Sequence, residues 1–192
     1  MQVIHIGDKL THVKDVAVEK GCRGIAFFQY TFILGFTSPA PRVERMSEDG
    51  DVLNTLIYDL SKVNLFSDPS YIHVKNTTDS ARILVSDGGK KTVYMLNDNL
   101  QLLQTFKLPS GGRLWGLAAV GGVQVLVLVG SWGTRTLQLL DLTTGRWRTL
   151  LGLEFGLLQS VSLVYHQATK KLYGGPYFSD EVRVYSVRVN VS

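Results

Sequence analysis

Arg82-Ile83-Leu84-Val85-Ser86-Asp87-Gly88-Gly89-Lys90-Lys91-Thr92-Val93-Tyr94-Met95-Leu96-Asn97-Asp98-Asn99-Leu100-Gln101-Leu102-Leu103-Gln104-Thr105-Phe106 reads as three strands joined by two tight turns. Ile83, Leu84 and Val85 are apolar in succession, as in a strand covered on both faces. From Thr92 the pattern changes to apolar side chains at the second and fourth positions, the two-residue period of a strand with one buried face. Gly88-Gly89 and Asp98-Asn99 supply residues that tolerate positive φ, which tight hairpins require.

The same arrangement recurs along the chain. Alternating segments like Thr92-Val93-Tyr94-Met95-Leu96-Asn97 start at Arg42, Thr136 and Glu181, giving a period of 44 to 50 residues. An apolar strand precedes each, at 31–35, 82–87, 125–130 and 171–175, and another lies further upstream, at 24–27, 71–74, 114–118 and 161–164. A fourth strand follows in three units, at 52–56, 100–106 and 146–150. Asp49-Gly50 and Thr144-Gly145 occupy the place of Asp98-Asn99 in the first and third units. Solenoids of this period are helical, and no helical periodicity appears outside the ambiguous 57–66 segment. A four-stranded unit of this length is the blade of a β-propeller. The expected fold is therefore all-β, a β-propeller of four recognisable four-stranded blades, closed as a four-blade ring or forming part of a larger one. A single domain over 1–192 is predicted, with blades near 22–60, 70–108, 113–152 and 157–191. The segment 11–18 is a spare strand available to complete the last blade, which would remove an exposed edge.

Composition restricts the function. Hydrophobic residues are 45% and charged residues 19% of the 192, too apolar for a disordered chain. The net charge of +4 permits an acidic partner without requiring one. Cys22 is the lone cysteine, so no intrachain disulfide and no cysteine-rich metal site can form. The longest apolar stretch, 117–129, is interrupted by Gly121, Gly122 and Gln124 and is too short to span a bilayer. The N-terminus has no basic segment followed by an apolar run, so a cytoplasmic protein is expected.

Catalytic constellations are thin. His5, His12, His73 and His166 have no ligand spacing. Arg23 beside Cys22 is the one feature that would lower a thiol pKa, and no histidine partner accompanies it. Asp87 reads as a turn-capping residue. The corresponding places in the other units carry Gly35, Gly130 and Gly174, so convergent carboxylates for a metal are missing. Basic and aromatic residues are the stronger candidates. Lys90, Lys91, Arg113, Arg135, Lys170 and Lys171 are predicted in inter-strand loops, accompanied by Trp115, Trp132, Tyr177 and Phe178. Equivalent loops gather on one face of a ring, so Lys90, Lys91 and Arg135 should share a face, with Lys170 and Lys171 at the opposite end. Lys90, Lys91, Arg113, Arg135, Trp132 and Tyr177 form the proposed ligand-binding set. Such a face suits an acidic protein surface or single-stranded RNA.

The runs Gly21-Cys22-Arg23-Gly24-Ile25-Ala26 and Ile83-Leu84-Val85-Ser86-Asp87, the latter followed by Thr92-Val93-Tyr94-Met95-Leu96, resemble NHL-type blades. They are most similar to those of invertebrate tripartite-motif (TRIM-NHL) proteins. The resemblance implies a six-bladed propeller that recognises protein or RNA beside RING, B-box and coiled-coil modules carrying ubiquitin ligation. This chain shows four blades and no cysteine-histidine zinc clusters, so the resemblance implies a recognition portion without ligase chemistry. The expectation is a non-catalytic binding module, with no cofactor, whose partner is a protein or ubiquitination substrate. RNA binding is the alternative, a six-bladed hydrolase or lyase comes third, and neither a membrane nor DNA is expected.

Overall fold

The computed structural model describes residues 1–6, 10–76, 81–109, 112–120, 124–131, 134–151, 160–176 and 182–186. Every regular element in it is a β-strand, paired antiparallel. β1 (Gln2–Ile6) and β2 (Leu10–Asp15) form a hairpin. The first sheet is β3 (Cys22–Phe28), β4 (Thr31–Phe36), β5 (Arg42–Ser47) and β6 (Val52–Leu56), in that order. β7 (Pro69–Asn76), β8 (Ala81–Asp87), β9 (Thr92–Leu96) and β10 (Leu102–Lys107) make the second. The third is β11 (Arg113–Val120), β12 (Gln124–Ser131), β13 (Thr134–Asp141) and β14 (Trp147–Leu151). β15 (Ser160–His166), β16 (Lys171–Pro176) and β17 (Arg183–Ser186) make the fourth.

The spare strand has a different partner from the one expected. β2 pairs with β1, from Gln2 against Asp15 to Ile6 against Leu10, and not with β17. β1 and β2 are neighbours in the chain, so pairing them costs less loop-closure entropy than pairing either across the whole chain.

The sheets stack face to face in chain order. Ile33 and Val43 of the first sheet meet Ile83, Val85, Tyr94 and Leu96 of the second. Leu84, Val93 and Phe106 on the second sheet's other face meet Leu114, Leu117 and Leu140 of the third. Ala118, Val120, Leu137 and Leu139 then meet Leu163 and Leu172 of the fourth. Adjacent residues such as Ile83 and Leu84 thus serve two different cores, which is why the second strand reads as continuously apolar. Each such side chain removed from water stabilises the fold by about 1.5–3 kcal/mol. The first strands approach one another most closely, β3 against β7 and β11 against β15. Gly35 is required there, because a Cβ on it would stand 2.3 Å from the Pro69 carbonyl oxygen.

Turns follow the expected chemistry with two changes of residue, the first in the 88–91 turn, where Lys91 (φ 56) and neither Gly88 nor Gly89 takes positive φ. Gly50 and Gly145 take positive φ between the third and fourth strands, but in the second sheet it is Leu100 (φ 60), not Asn99, that does so. Leu100 is buried in the core between the first two sheets, which holds its backbone in the turn.

Candidate protein-recognition face

In a four-stranded meander the turns between second and third strands lie on the same rim as the links between sheets. That rim, at the second sheet, holds the 88–91 turn, the 57–68 link and the start of β11. Asp87, the last residue of β8, joins them. It is fully buried, and its carboxylate accepts backbone N–H groups from Ser67 (2.6 Å), Asp68 (3.0 Å) and Lys90 (2.8 Å). One side chain therefore fixes both the link and the turn. Gly89 follows because a Cβ there would meet Ser67 Oγ at 2.5 Å.

The link itself is a small hydrogen-bonded hairpin. Tyr58 bridges Asn64, Asp59 N–H donates to the Val63 carbonyl at 2.9 Å, and Leu65 N–H donates to Ile57 at 2.8 Å. The Asp59 carboxylate accepts from Ser61 N–H (2.9 Å) and Val63 N–H (3.0 Å), while Lys62 turns the chain with φ 59. At its base Leu65 and Phe66 are buried, and Phe66 packs edge-on against Tyr94 with ring centroids 5.1 Å apart. The Tyr94 hydroxyl donates to the Leu65 carbonyl at 2.8 Å. Burial, with help from the Asp87 and Asp59 carboxylates, pushes the Tyr94 phenol up to about 12. At the tip, Leu60 is fully exposed and Tyr58 and Val63 are more than half exposed.

The expected site residues divide. Lys90 and Lys91 lie in the 88–91 turn, and the Lys90 ammonium donates to the Asn64 carbonyl, which ties this turn to the link. Lys91 is exposed, with φ 56. Arg113 opens β11 instead of lying in a loop. Its guanidinium pairs with the Asp68 carboxylate and sits 5.6 Å from the Trp115 ring centroid, so its charge is already matched. Arg135 lies within β13, opposite Gly130, where the hairpin pairing continues to Ser131 and Thr134. Lys171 likewise belongs to a strand, β16, while Lys170 lies in the turn before it on the opposite rim. Trp132, Tyr177 and Phe178 lie outside the described residues.

Tyr58, Leu60 and Val63 were not among the candidates, since the 57–66 segment has no clear periodicity. The signal available was Asp59 two residues before Ser61, an Asx-turn pattern in which the carboxylate takes the place of a backbone carbonyl. Cys22 opens β3, and burial followed by the Glu44 carboxylate pushes its thiol up, the opposite of activation. Among the described residues no three His, Cys, Asp or Glu side chains come together to hold a metal ion, and no helix is long and apolar enough to cross a membrane.

No family model matches the chain, and no curated protein matches its sequence. Solved structures do match. The Cps50 (Swd1) β-propeller domain of Myceliophteria thermophila superposes with a TM-score of 0.62 at 13% identity, over 97% of this chain and 63% of that one. The sheets are those of a β-propeller. U3-55K matches with a TM-score of 0.66 at 13% identity, over 90% of this chain and 51% of its own. A chain of the nidogen/laminin complex matches with a TM-score of 0.68 at 13% identity, over 86% and 60% respectively. The propeller chain described here therefore spans about half to three-fifths of the length of these structures.

Proposed function

We propose that the chain is a non-catalytic recognition module that binds a protein through the rim of its second blade. The observation that carries this is the braced 57–64 hairpin, which presents Tyr58, Leu60 and Val63 to water beside Lys62, Lys90 and Lys91. Exposed apolar side chains on a backbone that is already ordered lose little entropy on binding, the property of interface anchors. The lysines around them favour a partner whose apolar pocket has an acidic border. The neighbouring solved structures support the propeller scaffold alone. Within the TRIM-NHL resemblance, the partner is a cytoplasmic ubiquitination substrate selected by a chain that leaves ligase chemistry to other modules. Protein is favoured over RNA because Arg113 is matched by Asp68 and the exposed anchors include two aliphatic residues.

A pull-down from native lysate, divided into nuclease-treated and untreated halves, tests this. Proteins retained by the native chain in both halves should be lost with Leu60→Asp and weakened about tenfold or more with Lys90→Glu plus Lys91→Glu, consistent with loss of an anchor. Leu60→Asp alters a fully exposed side chain and should keep the native unfolding midpoint, while Lys90→Glu also removes the Lys90–Asn64 contact, so that variant is compared after far-UV circular dichroism has verified its fold. Retention that disappears with nuclease, or that ignores both variants, refutes the proposal.

A further inference from the structure

The chain carries, at its two ends, the two halves of the interface it uses internally. In each internal junction, one face of a blade packs on the opposite face of the next, with first strands closest together. The first blade's outward face is only partly covered. Met1, Val16 and Val18 lie over Phe32, Leu34, Phe36 and Met46 on its outer strands. On the innermost strand β3, Ile25 and Phe27 pair with Leu34 and Phe32 and therefore share that face, yet they are 52% and 56% exposed. Their counterparts on the second blade's first strand, Ile72 and Val74, pack against the first blade.

The fourth blade shows the complementary half. Leu163 and Leu172 face the third blade, so alternation turns Val164, Tyr173 and Val184 to the other side. Val164 is 63% and Val184 51% exposed. The positions that do the same on the third blade, Ala118, Val120, Leu137 and Leu139, are all buried by the fourth.

We infer that two copies of this chain associate head to tail, the β15 face of each packing on the β3 face of the other, to complete one ring. The occupant of each bare face is a second copy because the same chain holds both matching halves, in the order its internal junctions use. Two unlike faces used twice around a two-fold axis close the assembly, leaving neither face in water. This association uses the ends of the arc, and it stands independently of the rim proposed for protein recognition.

Sedimentation equilibrium of the 192-residue chain tests it, with a mass of twice 21.3 kDa expected. Phe27→Glu and Val184→Lys should each give a monomer with unchanged far-UV circular dichroism, since both side chains are exposed in one copy. Mixing the two variants should restore the two-copy mass, because a native β15 face then meets a native β3 face at one junction. A native chain that remains monomeric across a wide concentration range overturns the inference. So does an open series of higher masses, or a two-copy species that either variant leaves intact. Failure of Phe27→Glu to dimerise, with Val184→Lys dimerising normally, would mean that two β3 faces meet and overturns the head-to-tail arrangement.

Discussion

Replacing Asp87 with alanine removes the acceptor for three backbone N–H groups at once: Ser67, Asp68 and Lys90. The bonds are charge-assisted, and each such bond contributes roughly 1.5–3 kcal/mol. A simple sum overstates the loss, because Ser67 is exposed and Lys90 half-buried, so water can replace their partners. Asp68 is buried, and its N–H is left without a partner. The expected loss is therefore about 3–5 kcal/mol. With a urea slope of about 2 kcal/mol/M, the unfolding midpoint falls by about 2 M. Asp87→Asn is the discriminating control. Oδ1 accepts from Asp68 and Lys90 and Oδ2 from Ser67, so asparagine can keep its oxygen at the first pair and turn its amide toward exposed Ser67. It should lose about half as much as alanine. Urea titrations followed by tryptophan fluorescence, with a constant slope, give the answer. An alanine variant weaker by less than about 1 kcal/mol, or an asparagine variant as weak as alanine, refutes the account of Asp87 as the tie between link and turn.

Ser86 has a fully buried hydroxyl without a hydrogen-bond partner, so Ser86→Ala should raise stability by about 1 kcal/mol in the same titration. The Tyr94 phenol is held protonated, up to about 12 against an ordinary value near 10. A neutral phenol retained by the folded chain contributes stability that is full below about pH 10 and is lost as pH rises toward about 12. The fall in urea midpoint across that window should be shallower in Tyr94→Phe than in the native chain, and equal slopes would count against the buried phenol.

Much of the propeller was legible because its information is local. A strand covered on both faces shows as an apolar run, as at Ile83-Leu84-Val85, and one with an alternating pattern shows period two, as at Thr92-Val93-Tyr94-Met95-Leu96. The third-to-fourth turns were legible for the same reason, although Leu100 shows that burial can impose a positive φ on a residue with no preference for it. Pairing is not local in that sense. The 11–18 segment reads as a strand from its own residues, but its partner depends on whatever other edge lies within reach, and β1 lies nearest.

Strand periodicity, turn residues and the repeat were determined by sequence alone, and with them the succession of antiparallel sheets, since each depends on neighbours a few residues apart. Tertiary structure decided which charges are free. Arg113 reads as a basic loop residue until the fold brings Asp68 to it from 45 residues away, and Lys90 reads as a lone cation until the fold sets it against Asn64. The rim at Tyr58, Leu60 and Val63 emerges at the same level. Exposure belongs to the packed arrangement of surfaces, and no run of residues states which of its apolar side chains will be left outside.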